Sequence, residues 1–241
     1  MLPPKDQRER FVKNTFDRIA GRYDLLNRVI SFHLDTYWRK RTVRALALNE
    51  GDKLILDLGT GTGDLAFSAA QILGGSGKVV GLDFSALMLQ LAQVKKQKVP
   101  HGHSTCFVLG SALAPPFKAE KFDAILTAFV LRNLQDLQEF FLSCHQLLKP
   151  GGKFASLDMF PPRSVPFSFI FSLYFHRLVP WIGACLGRDL GAYRYLSDSV
   201  RGFESPEAIG SAIRLAGFEK IKLQRFIGGA VCLHLAEKPV R

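Results

Sequence analysis

From about Arg8 to Leu48 apolar side chains recur at helical spacing: Phe11, Phe16, Ile19 and Tyr23, then Val29, Ile30 and His33. This pattern predicts a helical cap over residues 1–50. From Lys53 the rhythm changes. Short apolar runs at 53–58, 78–83, 104–109, 122–128 and 153–159 alternate with amphipathic stretches at 65–73, 86–98 and 137–148. A helix at 206–215 is followed by two further strands, 220–226 and 230–235, around the turn Ile227-Gly228-Gly229. Strands alternating with helices of this size imply a parallel sheet covered on both faces. The expected architecture is α/β, Rossmann-like: a mostly parallel seven-stranded sheet ending in an antiparallel C-terminal strand. Residues 51–241 form that domain, with a helical insert at 163–200.

The insert is the most apolar stretch of the chain. Residues 165–187 read VPFSFIFSLYFHRLVPWIGACLG, close to the length of a bilayer span. His176 and Arg177 sit at its centre, and Pro166 and Pro180 interrupt it. A charge at mid-bilayer is costly, which argues against spanning.

The first strand runs into Gly59-Thr60-Gly61-Thr62-Gly63. Glycines at alternate positions after a strand let the backbone turn sharply and let a ligand approach the main chain. Such a loop alone fits any nucleotide-like ligand, or only a tight turn. Asp83 lies 20 residues beyond Gly63, at the end of the second strand. A carboxylate there can accept both ribose hydroxyls, or cap a helix. Asp57 precedes the glycines and Asp64 follows them. Carboxylates at both ends would repel a pyrophosphate and tolerate a cationic sulfonium and an ammonium. The loop therefore points to S-adenosyl-L-methionine, and the fold to a class I methyltransferase.

Composition adds two constraints. The chain of 241 residues is 47% hydrophobic and 22% charged, which suits a globular core. Its formal charge is +11, a balance that suits a polyanionic neighbour such as an anionic membrane surface or nucleic acid. The basic residues are dispersed, without an aromatic–basic stripe, so nucleic acid is not expected. Cys106, Cys144, Cys185 and Cys232 make no CxxC pair or zinc spacing, so buried thiols in a reducing, cytoplasmic setting are expected and no metal is called for. The first residues lack the apolar core of a secretory signal.

Several blocks carry a more specific likeness. Tyr23-Asp24-Leu25-Leu26-Asn27 with Ser31 and Trp38, Leu131-Arg132-Asn133, Leu148-Lys149-Pro150-Gly151-Gly152, Tyr195-Leu196-Ser197-Asp198-Ser199-Val200-Arg201 with Phe203, and Gly228-Gly229-Ala230 with His234 span nearly the whole chain. Together they resemble the C-methyltransferases of ubiquinone and menaquinone biosynthesis. The resemblance implies cofactor contacts at Thr62, Asp83, Ser111 and Ala112. With Asp57, Gly59, Gly61, Gly63, Phe84, Ala128 and Tyr23 these form the expected cofactor set.

The same resemblance exposes departures. Ser111 stands where the family has Asp or Asn, Leu26 where it has Met, and Asp35 where it has His. Asp158-Met159-Phe160 replaces a Glu-Phe-Ser end of the fifth strand. These last positions approach the expected acceptor pocket.

Methylating a quinol ring carbon requires loss of a neighbouring hydroxyl proton. Asp35 is the first candidate base and His33 the second, with Arg132 steadying the developing oxyanion. The implied acceptor is a lipophilic prenylated quinol; another small aromatic or lipid acceptor is the alternative, and a nucleic acid a more distant one. Phe167, Phe169, Ile170, Phe171, Leu173, Phe175, Leu178, Trp181 and Ile182 would line a tail tunnel or dock peripherally on the inner face of the membrane, with Arg163, Arg177 and Arg188 against anionic headgroups. A lid or a homodimer contact is the alternative use of that insert.

Overall fold

The structure is a computed structural model that describes residues 5–48, 53–162, 173–174, 179 and 189–240. The N-terminal stretch is three helices: α1 (Lys5–Ile19), α2 (Tyr23–Ile30) and α3 (Leu34–Ala45). The first break is a 3-10 turn at Ala20–Arg22, which contains Gly21. The second break has no glycine or proline. There Phe32 (φ 52°) and His33 (φ 64°) both take the left-handed conformation, so the sequence read as continuous helix.

β1 (Leu54–Leu58), α4 (Asp64–Ile72), β2 (Lys78–Asp83), α5 (Ala86–Lys96), β3 (Thr105–Leu109), β4 (Phe122–Ala128), α6 (Leu137–Leu147) and β5 (Leu148–Met159) alternate as expected. They are followed by α7 (Leu190–Arg201), α8 (Pro206–Leu215), β6 (Glu219–Phe226) and β7 (Val231–Glu237). The seven strands form one sheet in the order β3-β2-β1-β4-β5-β7-β6. β1 to β5 pair in parallel, and β7 runs antiparallel to both its neighbours. The expected sheet and its reversed last strand are therefore present. β5 starts earlier than its apolar run: Leu148 already pairs with Phe122, and the Lys149-Pro150-Gly151-Gly152 turn lies inside the strand as a register shift.

Strand periodicity divides the core. Leu56, Leu58, Val80, Leu82 and Ile125 face α6 and α8, against Phe140, Phe141, Ile209 and Ile213. Ile55, Val79, Ala124 and Leu126 face the other way, against α3 (Trp38, Val43) and α4 (Leu65, Ala66, Ala69, Ala70). So α3, although it belongs to the N-terminal stretch, is a layer of the sheet. α1 and α2 instead pack with α7 through Ile19, Leu26, Ala192 and Val200.

Among the described residues no helix is long and apolar enough to cross a membrane. Of the insert's proposed tail-binding residues only Leu173 is described, and it is exposed. The others, with Arg163, Arg177, Arg188 and Cys185, lie outside the described residues. Cys106, Cys144 and Cys232 are unpaired thiols.

Phe141 on α6 is fully buried between Phe140 and Phe154. Phe141→Ala should lower unfolding stability by about 3–5 kcal/mol, the usual cost of emptying such a site. Urea denaturation followed by far-ultraviolet dichroism checks this.

Candidate functional site

Strand order reverses between β1 and β4, so the loops at their carboxyl ends diverge and open a crevice there. The Gly59–Gly63 loop forms its floor. Gly59, Gly61 and Gly63 all have positive φ (72°, 55° and 86°). At Gly59 a Cβ would lie 2.4 Å from Val130 Cγ2, so only glycine fits. At Gly61 a Cβ would meet nothing within 4 Å, which leaves its backbone open to the crevice.

Two carboxylates hold this loop. Asp57 is buried under it and accepts a hydrogen bond from Thr60 Oγ1 (2.7 Å). Its second oxygen has no hydrogen-bond partner among the described residues, and burial raises its pKa to about 7. Asp83 accepts from Gly61 N (2.8 Å) with one oxygen and from Ser85 N (2.9 Å) with the other. Burial raises Asp83 to about 6 against the pull of these bonds. Ser85, not Asp83, caps α5, accepting from Met88 N (3.1 Å).

Above the loop is a cleft of about 760 Å³, open mouth included. Gly59, Gly61, Asp83, Phe84, Ser111, Ala112, Ala128 and Tyr23 line it, which brings together eight of the expected cofactor residues. Sequence reading missed Met88 and Leu113, and Glu9, Val12 and Phe16 of α1. The α1 residues carry no motif; they reach the cleft because α1 folds back over the loop. The cleft offers an acidic edge and an apolar slot, which fit a nucleoside bearing a cationic chain.

Asp57, Thr62 and Gly63 are not on the cleft wall. Thr62 Oγ1 donates to Asp24 Oδ1 of α2 (2.6 Å). The electrostatic reason for preferring a cation at Asp57 also changes, because a buried carboxyl with pKa about 7 carries only part of a charge at neutral pH. Asp64 turns away from the cleft, bonding Arg28 (2.7 Å) and Lys95 (2.7 Å). Burial alone would raise it, but Arg39, Lys95 and Arg28 outweigh that and hold it at about 2.

These contacts form a chain of ion pairs. Lys95 of α5 also meets Asp24 of α2 (2.5 Å), and Arg28 of α2 also meets Asp35 of α3. Arg39 closes the chain on Asp35 (2.7 Å), and Ser31 Oγ donates to the other Asp35 oxygen (2.9 Å). The N-terminal helices are thereby tied to α4, α5 and the glycine loop.

Beneath these helices lies a second cavity of about 1500 Å³, open space included. Its wall is mostly apolar: Ile19, Ile30, Trp38, Met159, Leu196 and Val231 are among the residues on it. The polar groups facing it include Asp35, Arg132, Asn27 and Asn133. Phe16, Tyr23, Phe129 and Asn133 line both cavities, so the two adjoin there.

Arg132 is buried and bonds Asp158 Oδ1 (2.6 Å), yet it also lies on the apolar cavity wall. It is thus both a salt-bridge partner and a charged wall group. Asp158 Oδ2 and Arg132 Nε have no hydrogen-bond partner among the described residues. Asn133 accepts from Tyr195 OH (2.9 Å). Phe160 is core, stacked on Phe203 at 5.0 Å, and is not on either cavity wall. Asp35 reaches the apolar cavity, but both its oxygens are engaged by Arg28, Arg39 and Ser31. His33 is exposed and lines neither cavity.

The fold and these sites define an S-adenosylmethionine-dependent methyltransferase. The crystal structure of one such enzyme from Thermotoga maritima superposes with a TM-score of 0.66, covering 94% of this chain and 99% of that one at 19% identity. The chain belongs to the ubiE/COQ5 methyltransferase family, whose model matches residues 3–238. A demethylmenaquinone methyltransferase from Thermus thermophilus is 39% identical over 93% of this chain and all of its own length. A ubiquinone/menaquinone biosynthesis C-methyltransferase from Francisella philomiragia is 32% identical, over 98% of this chain and 94% of its own.

Cofactor affinity should follow Asp83. A carboxylate accepts hydroxyl bonds that its protonated form gives up, so binding favours the ionised state. With a free-protein pKa of about 6, affinity should be flat above pH 7 and fall as pH drops below 6, by up to about tenfold per unit. Asp83→Asn should bind weakly and with little pH slope. Calorimetric titration between pH 5 and 8 reads both.

Proposed function

We propose that this enzyme methylates a ring carbon of a prenylated quinol, demethylmenaquinol first among the candidates, while peripherally associated with the inner face of the cytoplasmic membrane. The reading rests on one observation: a nucleoside-sized cleft with an acidic edge and a large apolar cavity that adjoin at Phe16, Tyr23, Phe129 and Asn133. A ring placed at that junction has its apolar tail in the larger cavity. The Thermus relative, at the higher identity of the two, supports the naphthoquinol choice.

When bound, S-adenosylmethionine supplies an electrophilic methyl group. The Gly61 backbone, Asp83 and the Ser111-Ala112 turn hold it, and the apolar walls exclude water. Arg132 is assigned to the ring oxygen. A fixed guanidinium in an apolar cavity favours ionisation of the ring hydroxyl, whose proton passes to solvent as the ring enters, and the phenolate raises electron density on the adjacent carbon. Asp158 orients Arg132. Asp35 is assigned to positioning: with two guanidiniums and a hydroxyl on its oxygens, it is poorly placed to take a proton. His33, exposed, is set aside as a base.

Purified enzyme with labelled S-adenosylmethionine should transfer label into organic-extractable product from demethylmenaquinol, and not into RNA. Label in a ubiquinol precursor alone would move the acceptor assignment. Arg132→Met should lower kcat by about 100- to 1000-fold with cofactor affinity intact. Asp35→Asn should cost less than about tenfold in kcat. A loss of 100-fold or more, the range of a missing general base, would return Asp35 to that role.

A further inference from the structure

Phe32 and His33 form the turn between α2 and α3, and both are left-handed. That conformation is costly for a bulky side chain and persists only where surrounding structure enforces it. Here it projects a phenylalanine that is 73% exposed. The ring is also steadied from below. It lies 5.8 Å from Tyr174, whose hydroxyl donates to Ile30 O (2.7 Å).

Phe32, Leu34 and Ile227 each line the apolar cavity and are exposed at the same time. They mark its mouth. Tyr37, 52% exposed, stands one turn along α3 and packs edgewise on Phe226. From Tyr37 the outward face of α3 continues at helical spacing through Lys40, Arg41 and Arg44, all exposed. None of these three cations has a carboxylate partner among the described residues. The opposite face of α3, with Trp38, Thr42 and Val43, is buried against the sheet.

We propose that this turn and the outward face of α3 are the surface on which the enzyme sits on an anionic phospholipid bilayer, with the cavity mouth against the lipid. The proposal rests on the prenylated-acceptor reading above. Phe32, Leu34 and Ile227 enter the headgroup–acyl boundary, Tyr37 lies at headgroup level, and Lys40, Arg41 and Arg44 meet lipid phosphates. An apolar tail then passes from bilayer to cavity without crossing water. Nucleic acid would match the cations but has no use for an apolar mouth.

The test is co-sedimentation of the full chain with vesicles of phosphatidylcholine alone and mixed with phosphatidylglycerol. The wild type should bind the mixed vesicles and leave them at high salt. K40Q/R41Q/R44Q should weaken that binding by about 100-fold, from roughly fivefold per basic residue at such a surface. Phe32→Asn, which tolerates the left-handed turn, should weaken it by about tenfold or more. The triple variant should still methylate a short-tailed, water-soluble quinol at the wild-type rate and lose activity only on a long-tailed quinol in vesicles. Equal binding of wild type to neutral and anionic vesicles, or of the triple variant and wild type to mixed vesicles, overturns the proposal. So does a change in oligomeric state, read by light scattering, in place of a change in vesicle binding. Absence of methyl transfer to any quinol, with vesicle binding as described, would instead overturn the acceptor reading and leave the surface standing.

Discussion

The ion-pair chain Arg39–Asp35–Arg28–Asp64–Lys95–Asp24 is the joint that ties α2 and α3 to α4 and α5. Apolar packing of Ile19 and Leu26 on Ala192 and Val200 of α7 holds α1 and α2 from the other side. Members of the ion-pair chain are mostly shielded: the Asp35 side chain is 3% exposed, Arg39 7% and Asp64 14%. Partial burial makes such pairs matter more than surface ones, because removing one member strands its neighbour without solvent. Thr62 joins the chain through Asp24, so the glycine loop is mechanically part of the same joint.

That arrangement explains the division of acids in the site. Asp57, Asp64 and Asp83 all lie close to the glycine loop, and sequence distance gives no reason for them to differ. Their surroundings do. Asp64 faces Lys95 and Arg28 and is firmly ionised. Asp57 is buried under the loop with a bond from Thr60, and burial makes its charge the most disfavoured. Asp83 lies between, held by two backbone N–H groups at the edge of the cleft. Asp83 lines the cleft above the loop, whereas Asp57 supports the turn from beneath and Asp64 anchors α2.

Much of the fold was legible because it follows from period and punctuation. The alternation of apolar runs and amphipathic stretches announced the parallel sheet, and Ile227-Gly228-Gly229 announced the reversed last strand. The α2–α3 break was hidden because neither Phe32 nor His33 is a glycine or proline; both take the left-handed backbone in a turn closed locally by His33 N donating to Arg28 O (2.8 Å). The cleft above the glycine loop was legible from the glycines and Asp83, since backbone geometry there admits few residues. The apolar cavity was less legible. Asp35 and Arg132 were noticed, but only their partners reveal what each can do. Glu9 and Val12 were invisible, since only the folded-back α1 brings them to the cleft.

The departures at Asp35 and Asp158 acquire a physical meaning from these contacts. Both are buried acids opposite arginine, Asp35 against Arg28 and Arg39, Asp158 against Arg132. A histidine at position 35 would leave two guanidiniums facing a neutral or cationic ring, and the joint would weaken. The acid at 35 therefore belongs with Arg28 and Arg39 as a set that fixes α2 on α3. The acid at 158 leaves one oxygen without a partner beside an arginine whose Nε is equally unpaired. The pair is under-satisfied in a mostly apolar wall, and a ring hydroxyl at Arg132 would relieve part of that deficit. The burial that makes the pair costly makes an added polar contact there favourable.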